Sequence, residues 1–162
     1  MHCLMGILMT DTGLAKSIVR AARSASLGTI EPDGGPFVSL VTVAATSGSD
    51  PESVPTVLML LSGLARHTKN LNANASASLL LAEAPSGTSG EPLAAARVTL
   101  VGTVKKLESG SDAEARAVFL DAHPSAELYA GFGDFAIYEF SITTAHLVAG
   151  FGRIETVSAD QL

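Results

Sequence analysis

The pattern of apolar and polar residues along the chain predicts short strands interrupted by a few helices. Leu14, Ile18 and Ala22 recur at spacings of four, which is typical of an amphipathic helix, and Asp11 or Thr12 is suited to cap its start. Helices are also predicted over residues 67–74 and 111–122. Strands are predicted over residues 27–31, 37–44, 57–61, 77–82, 95–107, 135–143 and 146–150.

Two of the predicted strands carry a further signal. Residues 57–61 are continuously apolar, which indicates a strand buried on both faces. Gly102 lies inside the long strand 95–107, where a glycine marks a bulge or a close approach of another backbone. About seven strands, most of them joined by short turns, together with three or four helices predict an α+β protein built on an antiparallel barrel.

Composition and charge narrow the class of protein. The chain has 162 residues, the usual size of one domain, and a net charge of -6 argues against a nucleic-acid-binding protein. Hydrophobic residues make up 47% of the sequence and charged residues only 16%. With so few charges to cover its surface, we expect part of the apolar surface to be covered by a partner subunit.

Two apolar segments and the single cysteine indicate where in the cell the protein is expected. The apolar run from Val54 to Leu61 is too short to span a bilayer, and the opening MHCLMGILM lacks the basic start of a secretory signal. The single cysteine, Cys3, fits a reducing compartment. We therefore expect a cytoplasmic protein that makes no membrane contact, with flexible tails at residues 1–10 and 154–162.

The clearest candidate chemistry lies in LLSGLARHTKNL, residues 60–71. An apolar strand ends here at Ser62, and a short turn then leads into Arg66, His67, Thr68 and Lys69 at the start of a helix. Free N–H groups and the positive end of the helix dipole favour an anion at such a point. The segment therefore predicts a cradle for a small phosphorylated ligand, although a solvated first helical turn would have the same composition.

Four segments taken together resemble a known family: SIVRAARSASLGTIEPDGGPFVSLVTVA, LLSGLARHTKNLNANASASLLLAE, RVTLVGTVKKLE and HPSAELYAGFGDFAIYEFSITTAHLVAGFG. In their order and spacing they are similar to the FMN-binding split-barrel proteins related to pyridoxamine 5′-phosphate oxidase, and closest to the haem-utilisation branch. The resemblance implies a six-stranded Greek-key split barrel and a homodimer with two cofactor sites between the subunits.

The resemblance also implies where FMN would bind. The flavin ring would meet backbone groups of Val38, Ser39 and Leu40, and its phosphate would sit on the cradle that begins at Ser62. Phe151 and Arg153 follow the last strand, where they either reach the partner's flavin or belong to a frayed tail.

The chain departs from both branches of this superfamily. It has no tryptophan, and its C-terminal residues lack the arginine and histidine pattern that holds pyridoxal phosphate in the oxidases. No histidine follows His146, although haem-branch members use a C-terminal histidine as the iron ligand. Asp134 matches the acidic residue that supports that histidine in some of them, or else simply begins a strand.

Three functional hypotheses follow. The first is an FMN-dependent oxidoreductase that acts on an unidentified small molecule, in which the flavin supplies the redox chemistry and the catalytic residues are unknown. The second is a haem-binding or haem-utilisation protein of the same fold. The third is a dimer that binds flavin or another phosphate without catalysis. Four scattered histidines without metal spacing predict no metal-ion site.

Overall fold

The computed structural model describes residues 10–46, 53–83, 93–150 and 152–162. Within these ranges eight strands form one antiparallel sheet, accompanied by four helices. The strands are β1 (Ser24–Ile30), β2 (Pro36–Thr42), β3 (Ala44–Ala45), β4 (Val57–Ser62), β5 (Ser76–Ala82), β6 (Arg97–Lys106), β7 (Phe135–Ala149) and β8 (Arg153–Ser158). The helices are α1 (Asp11–Ala21), α2 (Arg66–Ala73), α3 (Ala113–Ala122) and α4 (Glu127–Ala130).

The strands follow the order β2-β1-β5-β6-β7-β4-β3, and β8 pairs with β7. The long strand β7 connects the sheet, because its first half pairs with β4, its second half pairs with β8, and β6 runs along its other side. Strand β2 lies at one edge and pairs with β1. In an antiparallel edge strand, every second residue turns its backbone N–H and C=O away from the sheet, so β2 can offer these groups to a ligand.

The sheet has apolar cores on two sides. Leu27, Leu79 and Leu100 belong to the larger cluster, which also includes apolar residues of α1. Phe119 of α3 and Ile137 of β7 belong to a second cluster. Residues of β4 alternate between the two clusters, which explains the continuous apolar run of this strand and confirms that it is buried on both faces.

The structure confirms the special role of Gly102. The pairing of β6 with β7 shifts register between Val101 and Gly102, so the predicted bulge is present. A Cβ at Gly102 would overlap the carbonyl oxygen of Ser141, so the backbone approach is also close.

Three sequence predictions differ from the structure. The two strands predicted over 135–143 and 146–150 are one strand, because Thr144 continues the ladder and pairs with both β6 and β8. The strand predicted over 37–44 ends at Thr42, and the chain then shifts to pair as β3 with β4. The flexible tail predicted over 154–162 is wrong, because β8 pairs with β7 and Leu162 is buried.

The antiparallel α+β architecture is as predicted, with eight strands in place of six since β3 and β8 extend the sheet. Helix α3 begins at Ala113, two residues later than predicted, and its N-cap residue Asp112 makes no side-chain capping bond. The hydroxyl of Ser111 donates to the carbonyl oxygen of Glu108. No helix in the described ranges has the length and apolar character needed to cross a membrane.

Candidate functional site

The turn between β4 and α2 is held in place by the loop that precedes β7. Ser62 donates a hydrogen bond of 2.6 Å from Oγ to Oδ2 of Asp134, and the same Oγ accepts from the backbone N–H of Leu64 at 3.1 Å. The N–H of Gly63 donates to the carbonyl oxygen of Asp134 at 2.6 Å. The predicted phosphate contact Ser62 therefore lies beside a carboxylate, and Asp134 joins two ends of the site just before β7 begins.

Arg66, the first residue of α2, is paired with an acidic residue of the hairpin between β1 and β2. Its Nε donates to Oε1 of Glu31 at 2.6 Å, and Nη2 forms an ion pair with the same oxygen. Its guanidinium carbon lies 4.8 Å from the centre of the Phe37 ring, which is a cation–π distance. Glu31 thus offsets much of the positive charge that the sequence assigns to an anion site.

His67 connects α2 with the edge strand β2. Its Nδ1 lies 3.0 Å from Oγ of Ser39, so two residues predicted for different parts of the cofactor are in direct contact. The ring is half-buried, and burial lowers the pKa of His67 because the charged form is poorly solvated there. The imidazole is therefore neutral at neutral pH.

The next two residues of α2 lie in different environments. Thr68 is fully buried, and its hydroxyl has no hydrogen-bond partner within the described ranges, whereas Lys69 is exposed. Asn70 donates to the hydroxyl of Thr29 at 3.0 Å and attaches the helix to β1. Thr68 thus sits on the core side of the helix, away from the other cradle residues.

A cavity of about 370 Å³ lies between β2, β4 and the start of α2. Most of its wall is apolar, with a few polar groups from Thr42, Ser62 and His67. The lining residues are Leu40, Val41, Thr42, Leu60, Leu61, Ser62, Ala65, His67, Tyr129 and Phe135. Three predicted site residues, Leu40, Ser62 and His67, therefore line one cavity. Ser39 is not part of the lining, but it contacts His67. Val38 stands on the exposed outer face of β2.

Two aromatic residues of the cavity were not predicted to take part in a site. The rings of Tyr129 and Phe135 lie 5.1 Å apart, centre to centre, in a tilted arrangement. The sequence suggests that Phe135 is a core or dimer aromatic, and it contains no signal that separates these two rings from ordinary core residues. The pairing of β7 with β4 brings Phe135 to the cavity, and α4 places Tyr129 against it.

The C-terminal candidate that the structure describes, Arg153, does not line this cavity. Phe151 lies outside the described residues, and Arg153, at the start of β8, forms an ion pair with Asp11 at the start of α1. His146 contacts the hydroxyl of Thr156 through Nδ1 at 2.7 Å, and His123 contacts the carbonyl oxygen of Val43 through Nε2 at 2.8 Å. No cluster of metal-binding side chains is found in the described ranges.

A curled antiparallel sheet with a cavity at the end of β2 defines the fold as a split barrel, which is also the fold of a pyridoxinephosphate oxidase family protein. Residues 9–162 match the family described as CREG, beta-barrel, and the chain belongs to that family. The predicted resemblance is confirmed.

Three known proteins illustrate the relationship. The non-canonical heme oxygenase HOZ of Arabidopsis thaliana chloroplasts is 31% identical over 118 residues, which are 73% of this chain and 33% of that protein. A heme binding protein from Mycobacterium smegmatis is 29% identical with a TM-score of 0.83, over 96% of this chain and 61% of the other. A pyridoxinephosphate oxidase family protein from Clostridium acetobutylicum is 15% identical with a TM-score of 0.68, over 94% and 99%, and shows the fold alone.

The chain spans about a third of the length of the curated plant relative that it matches, and about three fifths of the mycobacterial chain. The plant and mycobacterial proteins, both named for haem, are 31% and 29% identical to this chain, whereas the protein named for pyridoxine phosphate is 15% identical.

Proposed function

We propose that the protein binds haem in the cavity between β2, β4 and α2. The observation that carries this proposal is the character of the cavity, which has mainly apolar walls, while two of the residues expected to hold a phosphate, Ser62 and Arg66, already contact acidic residues. The haem-binding and haem-oxygenase names of the two nearer relatives support the same ligand.

The residues present fit haem. Leu40, Leu60 and the ring of Phe135 supply the apolar surface that a macrocycle needs. Lys69 is exposed on the first turn of α2, the helix that contributes His67 to the cavity, so it can pair with a propionate carboxylate. Bound haem would supply redox-active iron, while the protein residues hold the macrocycle and limit the access of water.

FMN is the second candidate. One observation favours it, because the first turn of α2 has no side-chain cap and its N–H groups are available to a phosphate. The carboxylates of Asp134 and Glu31 weigh against it, since a dianionic phosphate at Ser62 or Arg66 would meet like charge at short range. An FMN-dependent oxidoreductase acting on a small molecule thus remains an alternative, as does a dimer that binds the cofactor without catalysis.

A homodimer is part of the same proposal. Directly paired residues share one face of a sheet, and the outer face from β2 to β6 places Val38 and Leu40 beside Leu80 and Val101. These four side chains are between 42% and 78% exposed. The residues between them on this face are Ser26, Gly28, Ser78 and Thr99, so the patch carries no charge. A second copy of the chain would cover such a surface.

Parallel titrations with hemin and FMN test the choice of cofactor. We expect hemin to give a saturable Soret band with a Kd of about 1 µM or tighter, and FMN to leave its fluorescence unchanged at roughly tens of micromolar protein. Quenching of FMN fluorescence together with a flat hemin titration would overturn the proposal in favour of the flavin.

Variants of the two cationic residues of α2, Arg66 and Lys69, identify which ligand these residues bind. If FMN binds, Arg66→Ala or Lys69→Ala should weaken FMN much more than riboflavin, because only FMN carries the phosphate. Glu31→Gln releases Arg66 from its ion pair and should strengthen whichever anion binds there, by about two- to fivefold. Steady-state assays with NADH, NADPH and common electron acceptors then separate an enzyme from a binding protein.

A further inference from the structure

Three of the four histidines lie in the described ranges, and one of them lines the cavity. His123 contacts the carbonyl oxygen of Val43 and stacks against Phe119 at 4.8 Å between ring centres. His146 stands on the exposed sheet face and contacts Thr156. His67 is thus the described histidine with access to a ligand in the cavity.

The contact made by His67 leaves one ring nitrogen for a ligand. Nδ1 lies at hydrogen-bond distance from Oγ of Ser39, which is the partner found for this ring within the described ranges. When Nδ1–H donates to Ser39, Nε2 carries the lone pair that a metal requires. Metal-binding histidines generally have this arrangement, in which a hydrogen bond from the second nitrogen fixes the ring.

Both residues lie in regular secondary structure, Ser39 in β2 and His67 in α2. Ser39 pairs with Leu27 in the ladder between β1 and β2, so its position follows from the register of the sheet. His67 lies in the first turn of α2, which Asn70 attaches to β1 through Thr29. The contact between Ser39 and His67 therefore joins strand β2 to helix α2, and each of these elements is held by its own contact with β1.

We propose that His67 binds the haem iron through Nε2 and that Ser39 is a positioning residue that fixes the tautomer and orientation of the imidazole. This inference rests on the proposed haem-binding function. It gives the chain an iron ligand at the start of α2.

The test is resonance Raman spectroscopy of the ferrous haem complex together with hemin titration. We expect the wild-type protein to show an Fe–N(His) stretching band. His67→Ala should lose this band and bind hemin at least about tenfold more weakly. Added imidazole should restore the band, because it replaces the missing side chain. His146→Ala is the matched control, since it removes a hydrogen-bonded histidine outside the cavity, and it should change neither measurement.

Ser39→Ala tests the positioning role separately. The iron ligand is retained in this variant, so the Fe–N(His) band should persist but shift to lower frequency, with hemin affinity reduced about tenfold. His67→Gln serves as a second ligand variant if His67→Ala does not fold, as judged by circular dichroism. An Fe–N(His) band that survives both His67 substitutions overturns the inference and leaves haem binding intact. Absence of a Soret band in the wild-type titration overturns the proposed function itself.

Discussion

Ser62 and Asp134 are 72 positions apart in the chain, yet the hydroxyl of Ser62 donates a 2.6 Å hydrogen bond to the carboxylate of Asp134. A second bond, from the N–H of Gly63 to the carbonyl oxygen of Asp134, fixes the same two segments through the backbone. Together they hold the end of β4 against the start of β7. Because Ser62 and Phe135 both line the cavity, this connection determines the shape of the candidate site.

A double-mutant cycle measures how much this side-chain bond stabilises the fold. We expect Ser62→Ala to lower the free energy of unfolding by about 1.5 kcal/mol, because the bond is half-buried and has a charged acceptor. Ser62→Ala and Asp134→Ala should then couple by about 1 kcal/mol in urea unfolding experiments. Ser125→Ala, at an exposed serine, should change stability by less than about 0.5 kcal/mol. Additive effects of the two site variants would contradict a direct interaction.

Replacement of Gly102 should destabilise the barrel. The Cβ of alanine at this position would overlap the carbonyl oxygen of Ser141, and the backbone of β7 must move to make room. We expect Gly102→Ala to cost about 3 kcal/mol or more in thermal or urea unfolding. Gly131→Ala is the control, because Gly131 has a φ of −84° and nothing within 4 Å of the added methyl group. A cost of less than about 1 kcal/mol for Gly102→Ala would mean that the bulge adapts easily.

Local patterns explain what could be predicted from the sequence. The apolar run of β4, the helix after Ala65 and the bulge at Gly102 each depend on residues adjacent in the chain. The single strand β7 was missed because residues 143–146 do not show whether β-branched threonines continue a strand or end it. Its continuity is decided by ladders with β6 and β8 that lie far away in sequence.

The candidate site likewise depends on contacts between residues that lie far apart in the sequence. The sequence predicts Arg66, His67 and Ser39 as site residues from local composition and family resemblance. It contains no signal that Glu31, 35 positions earlier, would pair with Arg66, or that Ser39 would contact His67 rather than a flavin. Those partners arise from the docking of α2 beside β1 and β2, and they are the reason why we propose a largely apolar macrocycle rather than a phosphate as the ligand.

Charge placed on the outer sheet face should dissociate the proposed homodimer. Leu40 and Val101 are 78% and 49% exposed on the uncharged face that runs from β2 to β6. In the dimer we expect Leu40→Arg with Val101→Arg to weaken self-association roughly 100-fold, because cations would be buried against apolar surface. Sedimentation equilibrium measures the effect. Leu128→Arg, on α4, changes an equally exposed leucine elsewhere and should leave the dimer intact. A wild-type monomer would refute the dimer.

Acid should weaken the connection between α3 and α4 through Asp112. Arg116 donates to Oδ2 of Asp112 from Nη2 at 2.9 Å and Nε at 3.2 Å, and from Nη1 to the carbonyl oxygen of Ala130 at 2.7 Å. The hydrogen bonds from Arg116 lower the pKa of Asp112 below its ordinary value, although burial opposes them. The unfolded chain therefore binds the proton more readily, so the stabilisation is complete above the unfolded pKa and is lost as pH falls through the folded one.

At neutral pH we expect Asp112→Asn to be less stable than wild type by about 1 kcal/mol, since it keeps an acceptor and loses the charge. In urea unfolding, this difference should shrink as pH is lowered below the unfolded pKa of Asp112 and should vanish below the folded one. Glu114→Gln, on the same helix, should not reproduce that trend, and a difference independent of pH would show that the Asp112 charge contributes nothing.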